Sequence, residues 1–192
     1  MAGDSELQSV KELIRAGEAL TQEAQASFGQ LNPAQLNWKP NPEQWSIGQC
    51  FDHLITTNGT YFPVVEALLA GTRTLNIWER LGVFSKAMGN WLLNALKEDP
   101  AKKKFAAPPA FRPTSSRLEG NILERFAQHQ KCLLELMKRT EPFDLEQTII
   151  SSPALKPMTY SLMDAYRIII THERRHLRQA LRVMESPDFP RN

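Results

Sequence analysis

Proline placement is the strongest constraint on this chain. A proline has no amide proton to give a helix ladder and clashes with the turn before it, so any long helix must run between prolines. The 13 prolines leave uninterrupted runs over 1–32, 43–62, 64–99, 114–141 and 158–186. Most of these runs space apolar residues three and four apart instead of alternating them, which is the pattern of a helix with one buried face. The chain reads as all-α.

Four helices follow from the pattern. The first covers Glu6 to about Phe28, entered at Asp4 or Ser5, with Leu7, Val10, Ile14, Gly17, Leu20, Ala24 and Phe28 on one stripe. The second starts at a capping box of Ser46 and Gln49 and carries Cys50, His53, Leu54, Thr57, Tyr61, Val64 and Leu68, with a kink expected at Pro63. The third opens at Thr114 or Ser115, buries Leu118, Ile122, Phe126, His129, Leu133, Leu136 and Met137, and stops near Thr140. The fourth follows a box of Ser161 and Asp164 and lines up Ala165, Ile169, His172, His176, Ala180 and Val183. Four such helices make a four-helix bundle. Between the second and third, residues 71–113 form an insertion or lid. Trp78, Leu81, Phe84, Met88, Trp91, Leu92 and Leu96 suit an extra packing helix, weakened by Gly82 and Gly89, ahead of a loop with Lys102, Lys104, Pro108, Pro109 and Pro113. A membrane-surface segment is the lesser alternative.

A length of 192 residues with 42% hydrophobic residues suits one domain over 1–192. The net charge of +2, with basic residues spread along the chain, gives no face for nucleic acid. The first 30 residues lack an apolar signal core, and no apolar stretch approaches the ~20 residues of a membrane span. A soluble, cytoplasmic protein with no membrane partner is expected. Cys50 and Cys132 both sit in apolar helical patterns and read as buried free thiols.

Chemistry points to the four histidines: His53, His129, His172 and His176. At 100° per residue, His172 and His176 lie about 40° apart on one helix face, a turn from each other. Ile169, Ala180 and Val183 share that face, so both rings turn inward, where an unpaired polar group costs about 1–3 kcal/mol. Such a pair, with a third histidine near the start of another helix, favours a metal ion over separately satisfied core rings, since neutral imidazole is the commonest metal ligand. Three imidazoles leave coordination positions open, the mark of a reactive site.

His172-Glu173-Arg174-Arg175-His176 also matches the H-E-x-x-H pattern of zinc peptidases, where the glutamate is a general base. The context fails. The long signature needs Gly at 179 and His at 182, where Gln179 and Arg182 stand, and the other type needs a distant downstream glutamate although only sixteen residues follow His176. Glu173 is left to pair with an arginine or to orient a ligand.

Trp45-Ser46 leading a helix to His53-Leu54, then His172, His176 and Gln179 near the C-terminus, resembles the DinB-like (YfiT-like) metalloprotein superfamily, unrelated to the DNA polymerase that shares the DinB name. The resemblance covers about residues 5–70 and 114–185. It implies a four-helix bundle with a divalent ion at one end, held by His53, His172 and His176. Characterised relatives include thiol S-transferases using bacillithiol and isomerases dependent on mycothiol, and many others are described as metal-dependent hydrolases. The resemblance thus implies a metal-dependent enzyme, a thiol S-transferase or hydrolase, that activates water or a low-molecular-weight thiol cosubstrate against a small-molecule substrate. It also implies a homodimer, for which the apolar surplus around Trp78 and Trp91 would serve. Three imidazoles suit zinc, nickel or iron. The alternative is a non-catalytic, stress-related bundle that binds a metal or ligand.

The remaining candidates have simpler expected roles. His129 reads as a core ring or a group behind the ligands ahead of a fourth ligand, and Cys50 as core ahead of a thiolate ligand. Asp52 points about 100° from His53 and is expected in solvent. Trp45 is expected to staple the helix start, and Gln179 to touch the edge of the site.

Overall fold

The computed structural model describes residues 7–82, 85–97, 111–115, 117–154 and 157–191. The long helices are α1 (Val10–Phe28), α3 (Ile47–Gly59), α7 (Ile122–Arg139) and α8 (Leu162–Met184). α1 and α3 each pack on both α7 and α8, which closes a four-helix bundle. Further helices fill the connections: α2 (Pro33–Asn37), α4 (Phe62–Leu69), α5 (Ile77–Leu81) and α6 (Ser85–Lys97), the last as long as α3. The core runs along the bundle axis, where Phe51 meets Phe28 edge-on at 5.6 Å and Phe126 at 5.0 Å. Among the described residues no helix is long and apolar enough to cross a membrane.

Helix boundaries follow the capping chemistry. Ser46 and Gln49 form the expected reciprocal box at the head of α3. α1 instead starts at Val10, because Ser9 and Glu12 make the box four residues after Ser5; Asp4, Ser5 and Glu6 lie outside the described residues. Pro63 breaks the second helix instead of kinking it. α3 ends at Gly59 and α4 begins at Phe62, with the proline in its first turn, where a missing amide proton costs nothing.

The third helix begins at Ile122, not at Thr114 or Ser115, since both of those side chains are engaged elsewhere. Thr114 gives its amide and hydroxyl to Asp52, and Ser115 closes a turn on the backbone of Arg117. Asn37 then pins Leu118, donating to its carbonyl at 2.8 Å and accepting from its amide at 2.6 Å.

A small antiparallel hairpin, absent from the all-helical reading, precedes α8. β1 (Ile149–Ser151) pairs with β2 (Thr159–Ser161) in the register Ile149 to Ser161. Ser161 ends the strand and caps α8, accepting from the Asp164 amide at 3.0 Å. The return half of that expected box is replaced: the aspartate is a methylene shorter than glutamate, and its carboxylate takes Arg167 at 2.9 Å instead.

The insertion is two helices rather than one. Gly82 ends α5 in the left-handed region at φ 53°, a conformation that other residues rarely adopt. α6 packs on α8 and β2, and Gly89 permits that approach, since a Cβ there would stand 2.6 Å from Asp164 Oδ2. Leu93 is buried and Met88, Leu92 and Leu96 pack half-buried against the core. Trp78, Leu81 and Trp91 remain exposed, so the expected packing stripe is only partly covered. Phe84, Lys102, Lys104, Pro108 and Pro109 lie outside the described residues.

Candidate metal centre

Two packed helices bring three histidines to one point. His53 stands two turns into α3, and His172 and His176 stand a turn apart on the face of α8 that meets α3. His172 Nε2 lies 3.2 Å from His53 Nε2 and 3.0 Å from His176 Nε2. Among the described residues this is the cluster whose ligand atoms converge, all within 4.8 Å of one another. His53 and His176 are buried, whereas His172 keeps an accessible edge.

Behind the cluster, His53 Nδ1 donates to the Phe111 carbonyl, with the Thr57 hydroxyl 3.3 Å away. A carbonyl can only accept, so the ring proton sits on Nδ1 and the Nε2 lone pair faces the other two histidines. This is how ligating imidazoles are usually oriented. Trp45 closes one wall, stacking on His176 at 5.6 Å and 20° and leaning on His53 at 4.8 Å. Its indole therefore supports the cluster, beyond the stapling role expected of it.

Burial holds all three rings neutral. His53 is lowered from the ordinary histidine value by desolvation, partly offset by the Phe111 carbonyl and by Asp52. Desolvation, reinforced by His53 and Arg175, takes His172 down to about 3. His176 is pushed well below the ordinary range by desolvation and by the charges of His172, His53 and Arg175, against a raising contact from Gln179. Neutral imidazoles are the form that binds metal.

Nitrogens bound about 2.0–2.1 Å from one zinc ion stand roughly 2.9–3.4 Å apart, and the two Nε2 separations on His172 fall within that range. The donor set fits. A family model described as the DinB superfamily matches residues 16–180.

The chain belongs to the DinB superfamily.

No curated protein and no solved structure matches it. DinB membership and the three-histidine cluster together are compatible with a metal-binding site.

Several neighbours depart from expectation. Asp52 is buried instead of solvated, because its carboxylate takes the Thr114 amide at 2.6 Å and hydroxyl at 2.8 Å, with Arg125 at 3.9 Å. That clamp holds the strand of chain whose Phe111 carbonyl meets His53. His129 is not near the cluster; it stacks on Phe62 at 4.9 Å and 8°, and burial lowers it to about 4. Cys50 is core, its thiol pushed up to about 12 by desolvation. Cys132 is exposed, on the solvent face of α7 rather than in the core.

Glu173 turns away from the histidines. Its carboxylate is buried, accepting from Asn58 at 2.7 Å and Gln130 at 2.8 Å, and burial raises it to about 8 despite those bonds. A general-base role at the cluster is thereby excluded, and its partners are amides where an arginine was expected. Arg175, unusual for a buried helix face, reaches the Leu96 carbonyl of α6 at 3.4 Å. Sequence reasoning missed Phe111, Thr57, Asn58 and Gln130. Thr57 stood within reach, four residues after His53 on the same stripe.

Proposed function

We propose that this DinB protein is a metal-dependent enzyme in which His53, His172 and His176 hold a divalent ion, zinc, nickel or iron. The observation that carries the reading is the convergence of three histidines, with His172 Nε2 at 3.2 Å and 3.0 Å from the other two Nε2 atoms and the ligand atoms all within 4.8 Å of one another. An ion held there would act as a Lewis acid that lowers the pKa of a coordinated water or thiol cosubstrate. The chain's own groups do the rest. Phe111 fixes the His53 tautomer, Trp45 shields the His53 and His176 rings from water, and the accessible edge of His172 leaves the approach for a small-molecule substrate. That open edge favours a reactive centre over a purely structural one, which would be closed by a fourth protein ligand.

Metal content by mass spectrometry tests the reading, on protein purified without a metal-affinity column and beside the His172→Ala/His176→Ala double variant. About one divalent ion per chain is expected in the parent and none in the variant. No ion in the parent, even after incubation with zinc or nickel, would overturn it. Conjugation of a thiol to an electrophile and hydrolysis of activated esters are then assayed on the loaded protein, and the faster reaction chooses between transferase and hydrolase.

A further inference from the structure

The buried carboxylate of Glu173 takes no part in the cluster, yet it stands one residue after His172 and three before His176. Its Oε1 accepts from Asn58, five residues beyond His53 on α3, and its Oε2 accepts from Gln130 on α7. Asn58, Gln130 and Glu173 are each 1% exposed or less. Both carboxylate oxygens are thus engaged, which locks the rotamer.

Such a trio is a poor way to gain stability. Buried polar sets are often no better than hydrocarbon of the same volume, and their best-attested use is to fix registry between elements. Here two amide oxygens, Asn58 Oδ1 and Gln130 Oε1, are left buried without a partner, a further cost. Apolar ridges between helices are non-directional and tolerate small slides, whereas a residue-sized slip of about 1.5 Å along the axis would part the histidines. A site of this kind must be held to about 0.5 Å.

We infer that Glu173 is a positioning residue: through its bond to Asn58 it fixes the slide and rotation of α8 against α3, so that histidines from the two helices meet at one point. The arm to Gln130 ties α8 to α7, which contributes no histidine to the cluster. The two arms are chemically alike but only one spans the pair of helices that builds the site. This inference rests on the metal reading above and names what sets its geometry.

The experiment compares Asn58→Leu, Gln130→Met and Glu173→Gln with the parent. Zinc affinity is measured by competition with a chromophoric chelator, the visible spectrum of cobalt-loaded protein reports ligand geometry, and the melting temperature of the metal-free protein reports stability. Asn58→Leu removes one buried bond, and Gln130→Met removes the bond to Glu173 together with a longer one, 3.5 Å, to the Gly17 carbonyl; both should lower the melting temperature, Gln130→Met at least as much. Only Asn58→Leu should weaken zinc binding, by about 10-fold or more, and shift the cobalt spectrum. Glu173→Gln should keep near-parental affinity, because rotating either partner amide offers the new NH2 group an acceptor. Should Asn58→Leu not fold, Asn58→Ser, too short to reach Glu173, takes its place. Equal changes in affinity for the two arms, or none for Asn58→Leu, would overturn the inference while leaving the metal site intact. A parent that takes up neither zinc nor cobalt overturns the metal reading, and the latch falls with it.

Discussion

Replacing Asp52 by alanine separates two jobs the structure gives this carboxylate. It is 1% exposed, and Oδ2 takes both the amide and the hydroxyl of Thr114, at 2.6 and 2.8 Å. Arg125 stands 3.9 Å from Oδ1 with its side chain 45% exposed, so it contributes little. A hydrogen bond to a charged group is worth about 1.5–3 kcal/mol, and part of that is returned when a buried charge is removed. Asp52→Ala should therefore cost about 2–4 kcal/mol in urea unfolding of the metal-free protein at pH 7. Asp52→Asn keeps an oxygen for Thr114 and should cost about half as much. The second job is indirect. Thr114 anchors the segment that brings the Phe111 carbonyl to His53, so the slowly exchanging Nδ1 proton of His53 should disappear from the proton spectrum in the alanine variant. A stability within about 0.5 kcal/mol of the parent would refute the clamp, since surface substitutions fall in that range. A large loss of stability with the His53 proton still in place would refute its connection to the histidine.

Other outcomes follow from single residues. Iodoacetamide should label one thiol per native chain, at exposed Cys132, and a second only on unfolding, because Cys50 is buried with its thiol raised to about 12; two labels under native conditions would contradict the placement of Cys50. His129 is lowered to about 4, so the folded chain binds fewer protons there than the unfolded chain below pH 6.5. Its contribution is complete above that pH and lost as pH falls towards 4, about 1–2 kcal/mol by pH 5. His129→Leu should flatten the acid limb of stability against pH by that amount, and an unchanged limb would count against it. Gly89→Ala places a methyl 2.6 Å from Asp164 Oδ2, a carboxylate already held by Arg167, and should cost about 1–3 kcal/mol by thermal unfolding, with protease cleavage within α6 the expected sign of a lifted helix.

The bundle was readable because the information for it is local. Spacings of three and four locate a buried face, and Ser46 with Gln49 marks the start of α3 with no knowledge of the rest of the chain. The spacing of His172 and His176 is of the same kind, set by helix geometry alone. Local signals also misled where a distant partner competed for the same atoms. Thr114 looks like a helix cap until Asp52, 62 residues earlier, takes its amide and hydroxyl. Asp52 looks solvated from its angle on the helix, yet the segment after the insertion folds over it. The Phe111 carbonyl could not be found at all, because any residue offers a carbonyl and only the path of the chain selects this one. The hairpin was obscured for a different reason: its three-residue strands are too short for alternation to stand out from the helical spacing around them.

The polar groups of the core separate by purpose. Those at helix ends, such as Ser46 and Gln49 at the head of α3, each complete a backbone amide that would otherwise be unsatisfied. Among the described residues, four buried side-chain atoms have no hydrogen-bond partner, on Asn58, His129, Gln130 and His176. Three of these four residues belong to the histidine cluster or to the latch behind it. Each costs about 1–3 kcal/mol, and hydrocarbon of similar shape would remove the cost without disturbing the bundle. A core that keeps three such groups on α8 and on the faces of α3 and α7 that meet it gives up stability where these helices must meet with fixed geometry. Local consistency is expected to fail at functional or strained sites, and here three of its four failures adjoin α8.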